Sequence, residues 1–261
     1  MAEKKLRLGG MALANGVLVH GPTSWACAVR TNAGELRVAS GAKPRIAAER
    51  PLLRGPARLL EGLLVLPRVR RALPEAKFPF ERREVLAAMA VAGVATRAIR
   101  ESGRLSPMTQ ELAGGMISLA PAMVALRGGE LAAYHGAELV SIGSYEHGGR
   151  AAKEHERCGS HLVGPLMVAS TVGAGLAARV PGRMRKPASL VASLGAFAAA
   201  TEAFGWMVRN PDHPFARALA WPGHELQRRI ATTEPTAAQV EVAQAALDAC
   251  LERERAAADG A

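Results

Sequence analysis

Between Arg157 and Arg179 runs a stretch with no acidic or strongly basic side chain, Cys158 to Ala178, about the twenty residues that a helix needs to cross a hydrocarbon layer. A second run, Pro187 to Met207, reaches that length only by including Glu202, and two shorter ones, Val85 to Thr96 and Leu112 to Leu126, precede them. All four are diluted by Gly, Ala, Ser and Pro. Ala and Gly contribute little to membrane insertion, yet small residues also let helices pack closely inside lipid. Pattern alone therefore leaves two readings open, a water-surrounded helical core or helices in a bilayer.

The rest of the chain favours a mainly α fold. Aromatic residues make up only 4% of 261, too few for an all-β sandwich. The clearest strand signal is SWACAVRTNAGELRVAS, which alternates on both sides of Thr31, Asn32, Ala33 and Gly34 and predicts a β-hairpin. In RGPARLLEGLLVLPRVRRAL, the leucines 59, 60, 63, 64 and 66 oppose Arg58, Glu61 and Arg68, the pattern of an amphipathic helix that Pro67 ends or kinks. It packs on its own protein or, with Arg68, Arg70 and Arg71 at its end, lies on a membrane surface. Near the C-terminus, Thr236 and Gln239 have capping-box spacing, and Val240, Ala243, Leu247, Cys250 and Leu251 fall on one face of a further amphipathic helix. The Pro-containing stretch RNPDHPFARALAWPGHELQ reads as a connecting loop.

A net charge of +10 could attract nucleic acid or anionic lipid, but the basic residues form no aromatic-interleaved stripe, so nucleic acid is not an expected partner. Basic clusters flank the N-terminus, Arg97 to Arg104 and Arg179 to Lys186, so the positive-inside rule does not orient the chain. Cys27, Cys158 and Cys250 are odd in number and far apart, which fits a reducing compartment. The start, MAEKKLRLGGMALANGVLVHG, is poor material for a cleaved export signal, and Met1 is expected on the cytoplasmic side.

Chemistry-bearing residues concentrate in one place. His135, His147, His155 and His161 fall between the second apolar run and the opening residues of the third, together with Glu138, Glu146, Glu154 and Cys158. His135 and Glu138 are three apart, as are His155, Cys158 and His161, so on a helix each set projects from one face. Imidazole, thiolate and carboxylate together suit zinc or another divalent transition metal in four-fold coordination. The candidate ligands are His135, Glu138, His155 and Cys158, with His147 and His161 as substitutes. The duller alternative makes Cys158 a small residue opening a helix and His135 a partner of a backbone carbonyl. Asp212, His213, His224 and Glu225 are more distant candidates.

Five blocks, in order, carry a family resemblance. GGMALANGVLVHG, PLLRG, YHGAEL, ERCGS and WPGHELQRRIATTEPTAAQVEVA together resemble the YqhQ-like family of predicted metal-dependent bacterial membrane proteins, a domain of unknown function. The resemblance implies two helical hairpins, four short transmembrane helices in all, with a small N-terminal β-hairpin and a C-terminal amphipathic helix. It implies three regions: 1–80; a membrane-embedded 81–210 with a central His/Glu/Cys loop at 127–161; and 211–261. It also implies the inner membrane of a bacterium, with soluble parts in the cytoplasm and the lipid bilayer and other membrane proteins as partners. His135, Glu138, His155, Cys158 and Tyr134 match its motif positions, while Met11, Asn15, Leu139, His224 and Glu225 depart from it. Two roles follow: a metal-dependent and hydrolytic membrane protein, or a non-catalytic membrane scaffold or assembly protein whose site has degenerated. A peripheral, salt-sensitive binder of anionic lipid or RNA is a third.

Overall fold

A computed structural model describes residues 5–48, 50–127 and 129–259. The N-terminal third forms four antiparallel strands in sequence order, β1 (Gly9–Leu13), β2 (Gly16–His20), β3 (Ser24–Arg30) and β4 (Leu36–Ala42). The expected hairpin is β3–β4, with Arg30 paired to Leu36 and Gly34 at φ +84° in its turn. Instead of a hairpin alone there is a full sheet, because GGMAL and GVLVH add two strands. Their signal was Asn15 and Gly16 between apolar runs, although the turn itself is Ala14-Asn15 and Gly16 already pairs with Leu13. β2 and β3 are buried on both faces, so they read as nearly continuous apolar sequence rather than as alternation.

The remaining elements are helical. Two short helices, α1 (Arg54–Leu63) and α2 (Leu66–Ala72), divide where expected, with Pro67 in the first turn of α2. Then come α3 (Arg83–Glu101), α4 (Pro107–Ser118), capped by the Ser106 hydroxyl, and α5 (Ala120–Leu126). Next is α6 (Glu130–His147), which corrects the expected loop over 127–161: much of it is helix, and the part after the helix is irregular apart from a short 3-10 turn at Gly159–Leu162. α6 is buried nearly all round, so it lacks the amphipathic stripe that would have announced it, and Gly148 ends it at φ +74°. The long pair α7 (Val163–Ala178) and α8 (Arg185–Arg209) follows. The stretch read as a Pro-rich loop is α9 (Pro214–Leu226), continued by a π-helical turn Gln227–Ala231. Pro214 sits in its first turn, where a missing N–H costs nothing, and the His213 side chain caps it. Last, α10 (Ala237–Asp259) opens with the reciprocal Thr236–Gln239 hydrogen bonds of a capping box.

Three separated stretches of sequence share one core. Val17, Val19, Ala26 and Ala28 of the sheet meet Tyr134 and Ala137 of α6 and Val242, Ala243, Ala246, Leu247, Cys250 and Leu251 of α10. On the opposite face, Leu13, Leu18, Trp25, Cys27 and Val29 pack on Val65, Val69, Leu73, Ala76 and Phe78 around α2. The result is a helix–sheet–helix sandwich.

α3, α4, α7 and α8 pack on one another outside that sandwich. They expose large apolar side chains, among them Val91, Val94, Met116, Val172, Leu190, Val191 and Leu194. Among the described residues two helices, Gly159–Ala178 and Gly182–Arg209, are long and apolar enough to cross a membrane, not the four expected. α3 carries Arg97, Arg100 and Glu101 in its last turns, and the second run breaks at Leu119 into two short helices. α4–α5 with α6 is apolar enough only as one piece bent by 93°, and α6 already belongs to the sheet core.

Candidate functional site

Each of the sequence blocks around the site supplies a piece of backbone or a side chain that fixes another. Thr233 N–H bonds Ala132 O of α6 at 3.0 Å, and a Cβ on Gly136 would stand 2.3 Å from Thr233 O. The segment after α9 therefore lies directly on α6, an approach that only glycine at 136 permits. It delivers Ala231 O to within 2.8 Å of His135 Nδ1. A carbonyl only accepts, so Nδ1 carries the proton and the Nε2 lone pair is free. That lone pair faces Cys158 Sγ at 3.3 Å.

Glu138 lies one turn further along α6 and is 5% exposed. Its carboxyl group rests over β1, where a Cβ on Gly10 would meet Oε1 at 2.4 Å. No hydrogen bond from a described residue reaches it. Burial pushes its pKa up to about 8, with neighbouring Cys158 adding to the rise and His135 opposing it. The site thus holds a thiol, an imidazole lone pair and a carboxyl group poised near neutrality.

His155 is occupied elsewhere. Its Nδ1 accepts Arg157 N–H at 3.2 Å, which leaves Nε2–H to donate to Glu146 Oε2 at 2.9 Å. Glu146 is also paired with Arg157. Burial holds the His155 imidazole below its ordinary pKa, partly opposed by Glu156. His147 is exposed and bonds Gly143 O within its own helix. His161 is buried, with Nδ1 3.1 Å from Gln227 Nε2. Among the described residues, no three His, Cys, Asp or Glu side chains are already grouped to hold an ion.

Gln227 is the residue that sequence reasoning passed over. Fully buried, it accepts His155 N–H through Oε1 at 2.9 Å, and its amide nitrogen, with two hydrogens to give, donates to Ser160 Oγ at 2.7 Å and has His161 Nδ1 and His155 O at 3.1 and 3.2 Å for the other. It ties the irregular segment carrying Cys158 to the end of α9. Its place in the GHELQ block was the one available signal, since a buried glutamine has no pattern of its own. Of the more distant candidates, His224 lines a cavity of about 400 Å³ with His161, Arg217 and Trp221, Glu225 pairs with Arg228 and Arg229, His213 caps α9, and Asp212 is exposed. The departures also have places. Asn15 bonds Arg30 O, Glu75 O and Lys77 N–H, which makes it a clamp between the sheet and the chain after α2. Leu139 is buried apolar surface.

Sandwich and helices together define a sheet-and-helix domain that keeps a thiol–imidazole pair at the root of a long apolar hairpin. Over residues 129–253, from α6 into α10, the chain matches the sequence model of a family described as a protein of unknown function (DUF1385). Comparison with curated proteins and with solved structures finds no match.

Proposed function

We propose that this is a YqhQ-like membrane protein whose α7–α8 hairpin crosses a bilayer and whose sandwich holds a zinc-type divalent metal through His135 and Cys158, with Glu138 as third ligand or base. The observation that carries the reading is the His135 Nε2 to Cys158 Sγ approach of 3.3 Å, with Nδ1 committed to Ala231 O. A backbone partner on the far nitrogen is how metal-bound imidazoles are usually oriented. The separation is close to the edge that nitrogen and sulfur ligands at about 2.0 and 2.3 Å span around tetrahedral zinc. A zinc-type ion bound there would supply a polarised carbonyl or phosphoryl oxygen or an activated water. His135 and Cys158 would hold the ion, Gln227 positions the Cys158 segment, and Glu138 would either complete the ligand set or, left off the ion, serve as the proton acceptor.

Cys158 precedes α7 and Ala231 follows α8 and α9, so both ends of the hairpin return to the site. We place it at the membrane surface, with the sandwich in the cytoplasm of a bacterium, where the free thiols of Cys27 and Cys250 are at home. The bilayer is the first partner, and other membrane proteins are further ones.

A second reading is favoured by His155, which is taken by Glu146, and by Met11 and Leu139: a scaffold or assembly protein with a degenerate site. Cobalt titration of detergent-purified protein separates the two. We expect near-stoichiometric uptake with a cobalt–thiolate absorption band, lost in His135→Ala and in Cys158→Ala. Absence of that band in the unaltered protein overturns the metal reading and leaves the scaffold.

A further inference from the structure

α1 turns its leucines away from the protein. Leu52, Leu53, Leu59, Leu60, Leu63 and Leu64 are each 43–56% exposed, while the one buried residue of the helix is Glu61. The Glu61 carboxylate accepts Ile46 N–H at 2.7 Å and faces Lys43 Nζ at 3.4 Å. A helix packed on a water-surrounded core has the opposite arrangement, apolar inward and charged outward.

Where α1 is fastened decides what covers those leucines. Arg54 Nε donates to Glu202 Oε1 at 2.8 Å, and Leu52 N–H donates to the same oxygen at 3.2 Å. A Cβ on Gly55 would stand 2.2 Å from Thr201 Oγ1, so the Thr201 side chain of α8 rests directly on the α1 backbone. On α8, Pro187 to Thr201 carries no charge and Glu202 is the first after Lys186. That uncharged stretch is roughly 22 Å long at the helical rise, against a hydrocarbon layer about 30 Å thick. Glu202 therefore stands near one edge of the layer, and α1 is held at that depth. Arg50, Arg58, Arg68 and Arg71 are exposed on or beside it, as suits a neighbour with anionic headgroups.

We infer that α1 lies in the plane of the membrane surface, its leucine row among the outer acyl chains and its arginines at anionic lipid headgroups. It is a monotopic element that sets the height of the sandwich above the bilayer. The inference rests on the α7–α8 hairpin crossing that bilayer, and the test keeps the two apart.

In full-length protein carrying Cys158→Ala, an environment-sensitive fluorophore is attached in turn to Leu60→Cys on α1, Val172→Cys on α7 and Gln244→Cys on α10. Each is reconstituted into phosphatidylethanolamine–phosphatidylglycerol vesicles containing lipids spin-labelled near the headgroup or near the bilayer centre. We expect the Leu60 label to shift to the blue and to be quenched mainly by the shallow spin label, Val172 by the deep one and Gln244 by neither. Quenching at Val172 with none at Leu60 overturns the surface position of α1 and leaves the anchor standing, and a blue shift at Leu60 without quenching would assign its leucines to a protein contact instead. Quenching at neither overturns the anchor itself.

Discussion

Replacing Glu254 by alanine removes the link that fastens α10 to the sheet. The carboxylate is 6% exposed and accepts four hydrogen bonds from the β2–β3 turn: Thr23 N–H at 2.8 Å, Thr23 Oγ1–H at 2.9 Å, Ser24 N–H at 2.7 Å and Ser24 Oγ–H at 2.7 Å. A Cβ on neighbouring Gly21 would lie 2.4 Å from Oε1, so the space is filled by this one side chain. Burial alone would raise its pKa, but the four donors outweigh it and hold the group below its ordinary 4.5. Bonds to a charged group are each worth about 1.5–3 kcal/mol and do not add. Leaving buried donors without their acceptor costs roughly 3–5 kcal/mol, on the order of 10 °C in Tm for a chain of this size. Glu254→Gln keeps Oε1, which serves three of the four donors, and Thr23 Oγ1 can accept from the new amide, so its cost is about 1–2 kcal/mol. A depressed pKa adds stability that is present above the unfolded value and lost as pH falls through the folded one. The gap between unaltered protein and Glu254→Ala should therefore be full at neutral pH and shrink in acid. Thermal unfolding in detergent from pH 3 to pH 8 measures it, and an alanine variant within about 2 °C of the unaltered protein at pH 7 refutes the argument.

Glu138 should have the opposite pH dependence. With a folded value of about 8 against 4.5, its contribution is complete below the unfolded pKa and declines as pH rises through 8, by at most about 5 kcal/mol. Glu138→Gln should flatten the metal-free thermal-stability profile between those limits, and zinc should flatten it in the unaltered protein; an unchanged slope in the variant would show that another group titrates. Gly136→Ala forces a Cβ against Thr233 O, so about 1–3 kcal/mol of stability should go. As Ala231 O shifts from His135 Nδ1, the cobalt–thiolate band should weaken, and a normal Tm with a normal band would count against the close packing.

Much of the secondary structure was legible because it is local. The β3–β4 turn, the break at Pro67 and the cap at Thr236 each depend on residues within a few positions of one another. Among the described residues two of the expected four spans are not long and apolar enough to cross, because insertion depends on length and charge together, and Arg97 and the Leu119 break shorten the first two runs. In the site, His135, Glu138 and Cys158 stood out as residue types, and spacing put the first two on one helix face. Nothing local could say that His155 pairs with Glu146 rather than joining them, or that Gln227 holds the segment in place.

By itself the sequence determined a helical, basic chain with an uncharged run long enough to cross a membrane and one cluster of imidazole, thiol and carboxyl groups. Helix periodicity, turn chemistry and charge are properties of neighbours, so a linear reading reaches them. Only the tertiary structure decided that residues near 10, 135, 158 and 231 converge, since that depends on Gly10 and Gly136 letting backbone and carboxyl approach across more than a hundred residues. It decided as well that the α1 leucines face outward, because the helix buries its one glutamate against Lys43 and hooks onto α8 through Arg54.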